Sequence, residues 1–449
     1  MSDADGSPTA SAEPLEGAAS LRAFRLTFGL LGLIGALRFF WRGWLRSLYL
    51  WPPYHFSYLG FSWLKPWPWE WLLNLHLVLL AAAALALALG LRPRLSAGLY
   101  LLLFLMVELW DKAAYLNHYY LVSLLAGLMW AATLRRPPLY RSDGLPDWLL
   151  TALRLQLAIV WTFAGLAKLQ GDWLLRGLPL RLWLPTRADL PLIGGLLTLP
   201  ATALAASWAG AFVDLAAAPG LLWRRSRPWA LALLWGFHIA TGLLFPHIGL
   251  FPWYMLAGTT LFLAPNWPRA VADLIRRRAW RYRAAWNAVL GPPARRQALA
   301  LPASRLGRSA FALYVALQLA LPLRHWLYPG AVAWTEEGFR FSWMVLLVER
   351  SGWLRYELRD PANGRQWTVD AAEFLTPLQR QQVATQPDMV LEAAHWLAER
   401  YRAQGVAAAE VRADAWVSLN GRPARQLIDP SVDLASRRRS LRAADWVLR

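Results

Sequence analysis

Long apolar runs constrain this chain more than any other feature. Several reach the ~20 residues that a helix needs to cross a bilayer. Nine candidate spans are read at roughly 24–40, 70–91, 95–110, 117–134, 148–168, 200–223, 228–245, 249–265 and 306–323. Hydrophobic residues make up 57% of the 449 positions and charged residues 17%, as expected of a polytopic membrane protein. The first twenty residues are small and acidic, without the basic start, short apolar core and cleavage site of a signal peptide, and read as a disordered tail. The absence of cysteine excludes a disulfide, a thiolate nucleophile and a zinc–thiolate site.

The net charge of +19 raises the question of nucleic acid, but the arginines sit in short loops beside apolar runs, where they orient the chain and meet anionic lipid. No nucleic-acid partner is expected. Arg92 and Arg94, then Arg135, Arg136 and Arg141, then Arg224, Arg225 and Arg227, then the stretch 269–308, fall in alternate loops. The positive-inside rule makes these loops and the N-terminus cytoplasmic, with Arg42 and Arg46 dissenting. Everything after about residue 325 is then extracytoplasmic. Tryptophans near the run ends (Trp41, Trp44, Trp67, Trp69, Trp71, Trp173, Trp253) fit an interfacial aromatic belt.

Beyond residue 325 the apolar runs stop. Gly338 to Glu349 and Trp353 to Arg359 alternate as strands do, Arg359 to Gly364 reads as a hairpin turn, 387–403 as an amphipathic helix, and Ala408 to Leu419 as a strand ending in the Asn420-Gly421 turn signal. The expected fold is an integral membrane all-α helical bundle of about nine spans followed by an extracytoplasmic α+β, β-rich domain. Its parts are the tail 1–20, a transmembrane domain 21–324 and an outer domain 325–449. No internal repeat is visible, which argues against a transporter.

Lys168 stands at the far end of an otherwise apolar run, Leu155 to Leu169. The chain holds 47 basic residues but only three lysines, Lys65, Lys112 and Lys168, so arginine serves wherever a positive charge suffices. An ammonium near hydrocarbon costs roughly 2.5 to 3.5 kcal/mol at helix-centre depth, and only lysine escapes by shedding its proton, which leaves a base. Spacing alone leaves two readings, that base or a side chain snorkelling to the interface. Glu108, Asp111, Lys112, Asn117, His118, Asp214 and His238 also interrupt the runs. Asp111 with Lys112 reads as an interfacial salt bridge, His118 with Asn117 as a helix start or a site, and Asp214 and His238 as helix-binding hydrogen bonds or a deeper part of one outward-opening pocket. No His or carboxylate spacing suits a metal, and His55, His76, His247, His325 and His395 carry no specific signal.

Tyr115 to Tyr120, Phe163 to Trp173, Phe237-His238-Ile239 and Ile248 to Trp253 resemble the vitamin K-dependent gamma-glutamyl carboxylase family and its bacterial relatives with a horizontally transferred transmembrane domain. Phe341 to Met344, Leu354 to Asp360, Ala384 to Met389, Trp416 to Arg422 and Leu427 to Asp433 are similar, in the same order, to that family's lumenal domain. The resemblance implies a membrane enzyme of the carbon–carbon lyase class. Its reaction couples oxygenation of a reduced vitamin K hydroquinone to removal of a gamma proton from a protein glutamate, which carbon dioxide then carboxylates. It makes Lys168 the base for the hydroquinone, with His118 and Asn117 at the same site, and it leaves His238, Asp214 and Trp173 as cofactor-binding candidates. Menaquinol is a plausible bacterial quinol, entering from an inner membrane. Ala167 stands where animal members carry a second lysine, and Thr241 where they carry asparagine. The rival reading is a non-catalytic quinone- or lipid-binding receptor or assembly factor whose outer domain binds a protein.

Overall fold

The computed structural model describes residues 18–134, 146–264, 267–277, 289–290 and 300–449. Most of the expected tail, Arg135, Arg136, Arg141 and half of the arginine-rich stretch 269–308 lie outside the described residues.

The N-terminal part is helical. In chain order its longer elements are α1 (Ala18–Trp41), α2 (Glu70–Leu89), α3 (Pro93–Trp110), α4 (Asn117–Ala131), α5 (Asp147–Ala167), α6 (Pro200–Leu222), α7 (Arg227–Leu244), α8 (Phe251–Thr259) and α9 (Arg305–Leu323). Proline opens α3 and α6, where a missing N–H costs nothing and the fixed φ suits a helix start. Sequence neighbours pack together, α1 on α2, α2 on α3, α3 on α4, α5 on α6 and α6 on α7, and α8 returns to α1.

Among the described residues six helices, α1, α2, α3, α5, α6 and α9, are long and apolar enough to cross a membrane, so the expected nine spans are not confirmed. The three others fall short for physical reasons. The 15 residues of α4 extend about 22 Å and the nine of α8 about 14 Å, against a hydrocarbon core of about 30 Å. Helix α7 has 18 residues, but Arg227 at its start and His238 within it dilute its apolar character.

The C-terminal part contains a four-stranded antiparallel sheet in the order β2-β1-β3-β4, with β1 (Arg350–Arg359), β2 (Gln366–Asp370), β3 (Glu410–Leu419) and β4 (Arg425–Gln426). Alternation sets its inner face. Leu354, Tyr356 and Leu358 of β1 and Val411, Ala413, Ala415 and Val417 of β3 are buried with Met389, Val390, Ala394 and Leu397 of α11 (Pro387–Ala403), which follows the short α10 (Pro377–Val383). The hairpin at 359–364, the helix at 387–403 and the Asn420-Gly421 turn are all present.

One expected strand is not. Residues 338–349 form turns and irregular backbone, with Phe341, Trp343 and Leu346 at positive φ, and none of them pairs in the sheet. This strap lies against the membrane part. Tyr115 Oη accepts from the Phe341 N–H (2.7 Å), and Asn117 Nδ2 donates to the Met344 carbonyl (3.2 Å).

Polar contacts tie the two parts together. The expected Asp111–Lys112 salt bridge is replaced by partners from the C-terminal part. Lys112 Nζ lies 2.7 Å from Asp388 and 2.9 Å from Glu392 of α11. Asp111 accepts from Ala113 N–H and from Gln379 Nε2 (2.8 Å). Asp111 caps the short 3₁₀ turn Lys112–Ala114, its carboxylate turned back to the Ala113 N–H, so adjacency in sequence did not make the two a pair.

Candidate active site

The sequence from α5 into the next turn places Lys168 at the helix end, buried, at 5% exposure. Its Nζ donates to the Ala164 carbonyl (3.1 Å) and to Asp214 Oδ2 (2.8 Å), and sits 5.2 Å from the Trp173 ring centroid. Asp214 lies on α6. A Cβ on Gly165 would come within 2.7 Å of the Leu215 side chain and 2.9 Å of its backbone N, so only glycine lets α5 and α6 approach closely enough to join this pair. Trp173 is buried, not part of an interfacial belt, and its indole N–H donates to the Ser207 carbonyl (2.6 Å).

These three residues border a cavity of about 200 Å³. Its other walls are mainly apolar, with Trp161, Phe245, Phe251, Met255 and Leu346 among them. His238 of α7 also faces it. The imidazole is 2% exposed, and neither ring nitrogen has a hydrogen-bond partner. A buried polar group left unpaired costs about 1–3 kcal/mol, so an imidazole beside an open cavity points to a ligand that supplies the partner. The Lys168–Asp214 pair has the complementary property. Lysine carries three donor positions, and two are used within the protein, which leaves one towards Trp173 and the open space.

The structure therefore gathers Lys168, Asp214, Trp173 and His238, but not every polar residue of the expected pocket. His118 lies on the far side of Phe251, whose ring is 6.0 Å from His118 and 6.3 Å from His238. It borders a separate space of about 30 Å³ with Arg38 and Tyr119, room for about one water. Asn117 does not line the cavity. Its Oδ1 accepts from Tyr115 Oη (2.9 Å), and its amide holds the strap at Met344. Asp111 and Lys112 belong to the junction with α11 instead.

Val345 and Leu346 were missed as lining residues, because 338–349 was read as a strand. The sequence marked the segment as buried, though not as a strap. Met344 to Val348 is a continuous apolar run of five, unlike the half-polar alternation of the true strand β1. Among the described residues, no group of three or more His, Cys, Asp or Glu side chains is placed to hold a metal ion.

Comparison with known families meets this geometry from two directions. The family model for the HTTM domain matches residues 14–267, more than half of the chain, and carries Lys168, Asp214 and His238. The model for the vitamin K-dependent gamma-carboxylase, lumenal domain, matches residues 303–449, which include the strap and the sheet. No solved structure matches the chain. With a membrane-helical domain and a lumenal domain matched in this order, and a buried lysine in the cavity they jointly enclose, the chain belongs to the vitamin K-dependent gamma-carboxylase family.

Proposed function

We propose that the Lys168 cavity deprotonates a reduced vitamin K-type hydroquinone and supports its oxygenation to the epoxide, with gamma-carboxylation of a protein glutamate as the coupled reaction. The observation that carries this reading is a buried lysine with one carboxylate partner facing an apolar cavity that also holds an unpartnered imidazole. The size suits an aromatic head group. A cavity of about 150 Å³ accepts benzene, so about 200 Å³ admits a one- or two-ring quinone while a prenyl tail lies outside, among the helices. When bound, the hydroquinone supplies the electrons for oxygen chemistry.

The residues divide the remaining work. With one proton shared between them, Lys168 and Asp214 form a net neutral pair, as ammonium with carboxylate or amine with carboxylic acid. In the second form the lysine nitrogen accepts the hydroxyl proton. The pair then carries one positive charge beside the anionic oxygen it has produced, so the cavity as a whole stays neutral. His238, as a neutral imidazole, has one donor and one acceptor nitrogen, and the donor holds the second oxygen of the ring. The Trp173 face stabilises the ammonium. The apolar walls exclude water, which would quench the strong base needed to remove a gamma proton from glutamate. His118 and Asn117, behind Phe251 and the strap, act in the later steps on the glutamate side. The cavity and the C-terminal domain face the extracytoplasmic side.

The test is purified protein in nanodiscs with reduced vitamin K and oxygen, with epoxide followed by chromatography, labelled bicarbonate and a glutamyl peptide added in parallel, and Lys168→Ala as control. Epoxide from the wild type alone supports the reading, and label in the peptide extends it to carboxylation. A folded wild type that binds quinone but makes no epoxide would replace it with a quinone-binding receptor.

A further inference from the structure

Between the walls that helices α5 to α8 supply, the cavity is completed by three shorter stretches of chain. One is the turn after α5, with Lys168 and Trp173. The second is the segment carrying Leu180 and Leu184. The third is the strap, with Val345 and Leu346. Each sends one polar group to the same point. Asp172, directly before Trp173, accepts at Oδ2 from Asn420 Nδ2 (2.9 Å), and its Oδ1 is held by Arg422. Glu349, at the end of the strap, exchanges two bonds with Asn420. Its N–H donates to Asn420 Oδ1 and its carbonyl accepts from Asn420 N–H, both at 2.9 Å. Trp183 Nε1 donates to Glu349 Oε2 (2.6 Å).

Asn420 is 4% exposed and lies in the left-handed region, at φ 53°, where asparagine is tolerated better than most residues. Its amide orientation is fixed by its partners. Reversing it would set an oxygen against the Asp172 carboxylate and an NH₂ against the Glu349 N–H. The following Gly421, at φ 72°, is also in close quarters, since a Cβ there would lie 3.3 Å from the Leu182 side chain. None of these turn residues touches the cavity.

We infer that Asn420 is a positioning residue for the Lys168 cavity, joining Asp172 and Glu349 so that the Lys168–Trp173 turn and the strap close on the ligand as one wall. This rests on the proposed function of the cavity. It gives the Asn420-Gly421-Arg422 turn of the C-terminal domain a role in the reaction that its distance from the cavity hides.

The test uses full-length protein in nanodiscs with two substitutions and their combination. Asn420→Asp keeps the acceptor for Glu349 N–H but faces Asp172 with a like charge, and Asp172→Asn with Asn420→Asp restores a donor–acceptor pair. One readout is the labelling rate of Lys168 by an amine-reactive ester, resolved by peptide mass spectrometry, with Lys65 and Lys112 as internal references. The other is menadione affinity by equilibrium dialysis. The expected result for Asn420→Asp is Lys168 labelling faster and menadione affinity weaker, each by about tenfold, with Lys112 unchanged and both effects reversed in the double variant. Wild-type labelling and affinity in Asn420→Asp would overturn the inference. So would a double variant that recovers thermal stability but not Lys168 labelling. If Asn420→Asp does not fold, Asn420→Gly, which tolerates the same φ, is read against the same outcomes. A wild type without epoxidase activity would refute the proposed function while the labelling still decides the role of Asn420.

Discussion

Two lysines are buried in this protein, and their surroundings are opposites. Lys112 sits among the partners of a saturated cluster. Asp388 is also bound by Arg340, and Glu392 by Arg439, Tyr54 and both the N–H and hydroxyl of Ser57. Lys168 has one carboxylate, one carbonyl, the face of an indole and an open cavity. Burial of a charge is common to both and so distinguishes nothing. The difference is unspent bonding capacity next to empty space. The first arrangement joins two domains, and the second leaves a group free to exchange a proton with something that enters.

The contrast is broken most directly by removing each lysine. Lys168→Ala is expected to lower epoxide formation per folded molecule by about 10²–10⁴-fold, the usual contribution of a general base, besides the stability lost by leaving Asp214 without its cation. Lys112→Ala is expected to cost stability alone. Two carboxylates lose a buried partner, at about 3 kcal/mol, read as a lower unfolding temperature of the full chain with activity per folded molecule retained. Equal effects in the two variants would erase the distinction. Gly165→Ala comes next, since its Cβ would meet Leu215 at 2.7 Å and push α5 from α6. The overpacking costs about 1–3 kcal/mol and separates Lys168 from Asp214, so both stability and epoxide formation fall. His238→Leu sharpens the comparison from the other side. Removing an imidazole without partners should raise the stability of the ligand-free protein by about 1 kcal/mol while weakening menadione binding, and a loss of stability would mean the imidazole is held by the protein itself.

Acid gives the smallest effect, and the Lys112 cluster is one place where it acts. Burial alone would raise both carboxyls. The surrounding cations outweigh it, Arg340 and Lys112 at Asp388 and Lys112 and Arg439 at Glu392, and hold both below the usual carboxylate range. The unfolded chain therefore binds more protons as pH falls, so this stabilisation is complete above the ordinary carboxylate values of about 4 and declines below them. A melting temperature that stays level from pH 6 to pH 3 would remove these carboxylates from the stability of the junction.

Much of this was legible in the sequence, for a common reason. Apolar runs, the lone lysine of Leu155 to Leu169 and the hairpin at 359–364 are local signals, set by residues within a turn or two of each other. Contacts between distant segments were not. Nothing in the spacing joins Lys168 to Asp214, 46 residues on, or Lys112 to Asp388, 276 residues on. The strap shows the same limit in its backbone. Phe341, Trp343 and Leu346 take positive φ, which no propensity of Phe, Trp or Leu favours, while Tyr115 and Asn117 hold the segment from the membrane side. The count of nine spans is left unconfirmed for a different reason. Apolar content was read correctly in α4 and α8, but where each helix would stop was not.

The strap also bears on how such a protein evolves. Val345 and Leu346 come from the region matched to the lumenal domain, yet they close a cavity whose lysine comes from the region matched to the HTTM domain. The boundary between the two modules thus runs through the pocket rather than around it. A recombination that exchanged the C-terminal module between relatives would replace part of the pocket wall in its new host.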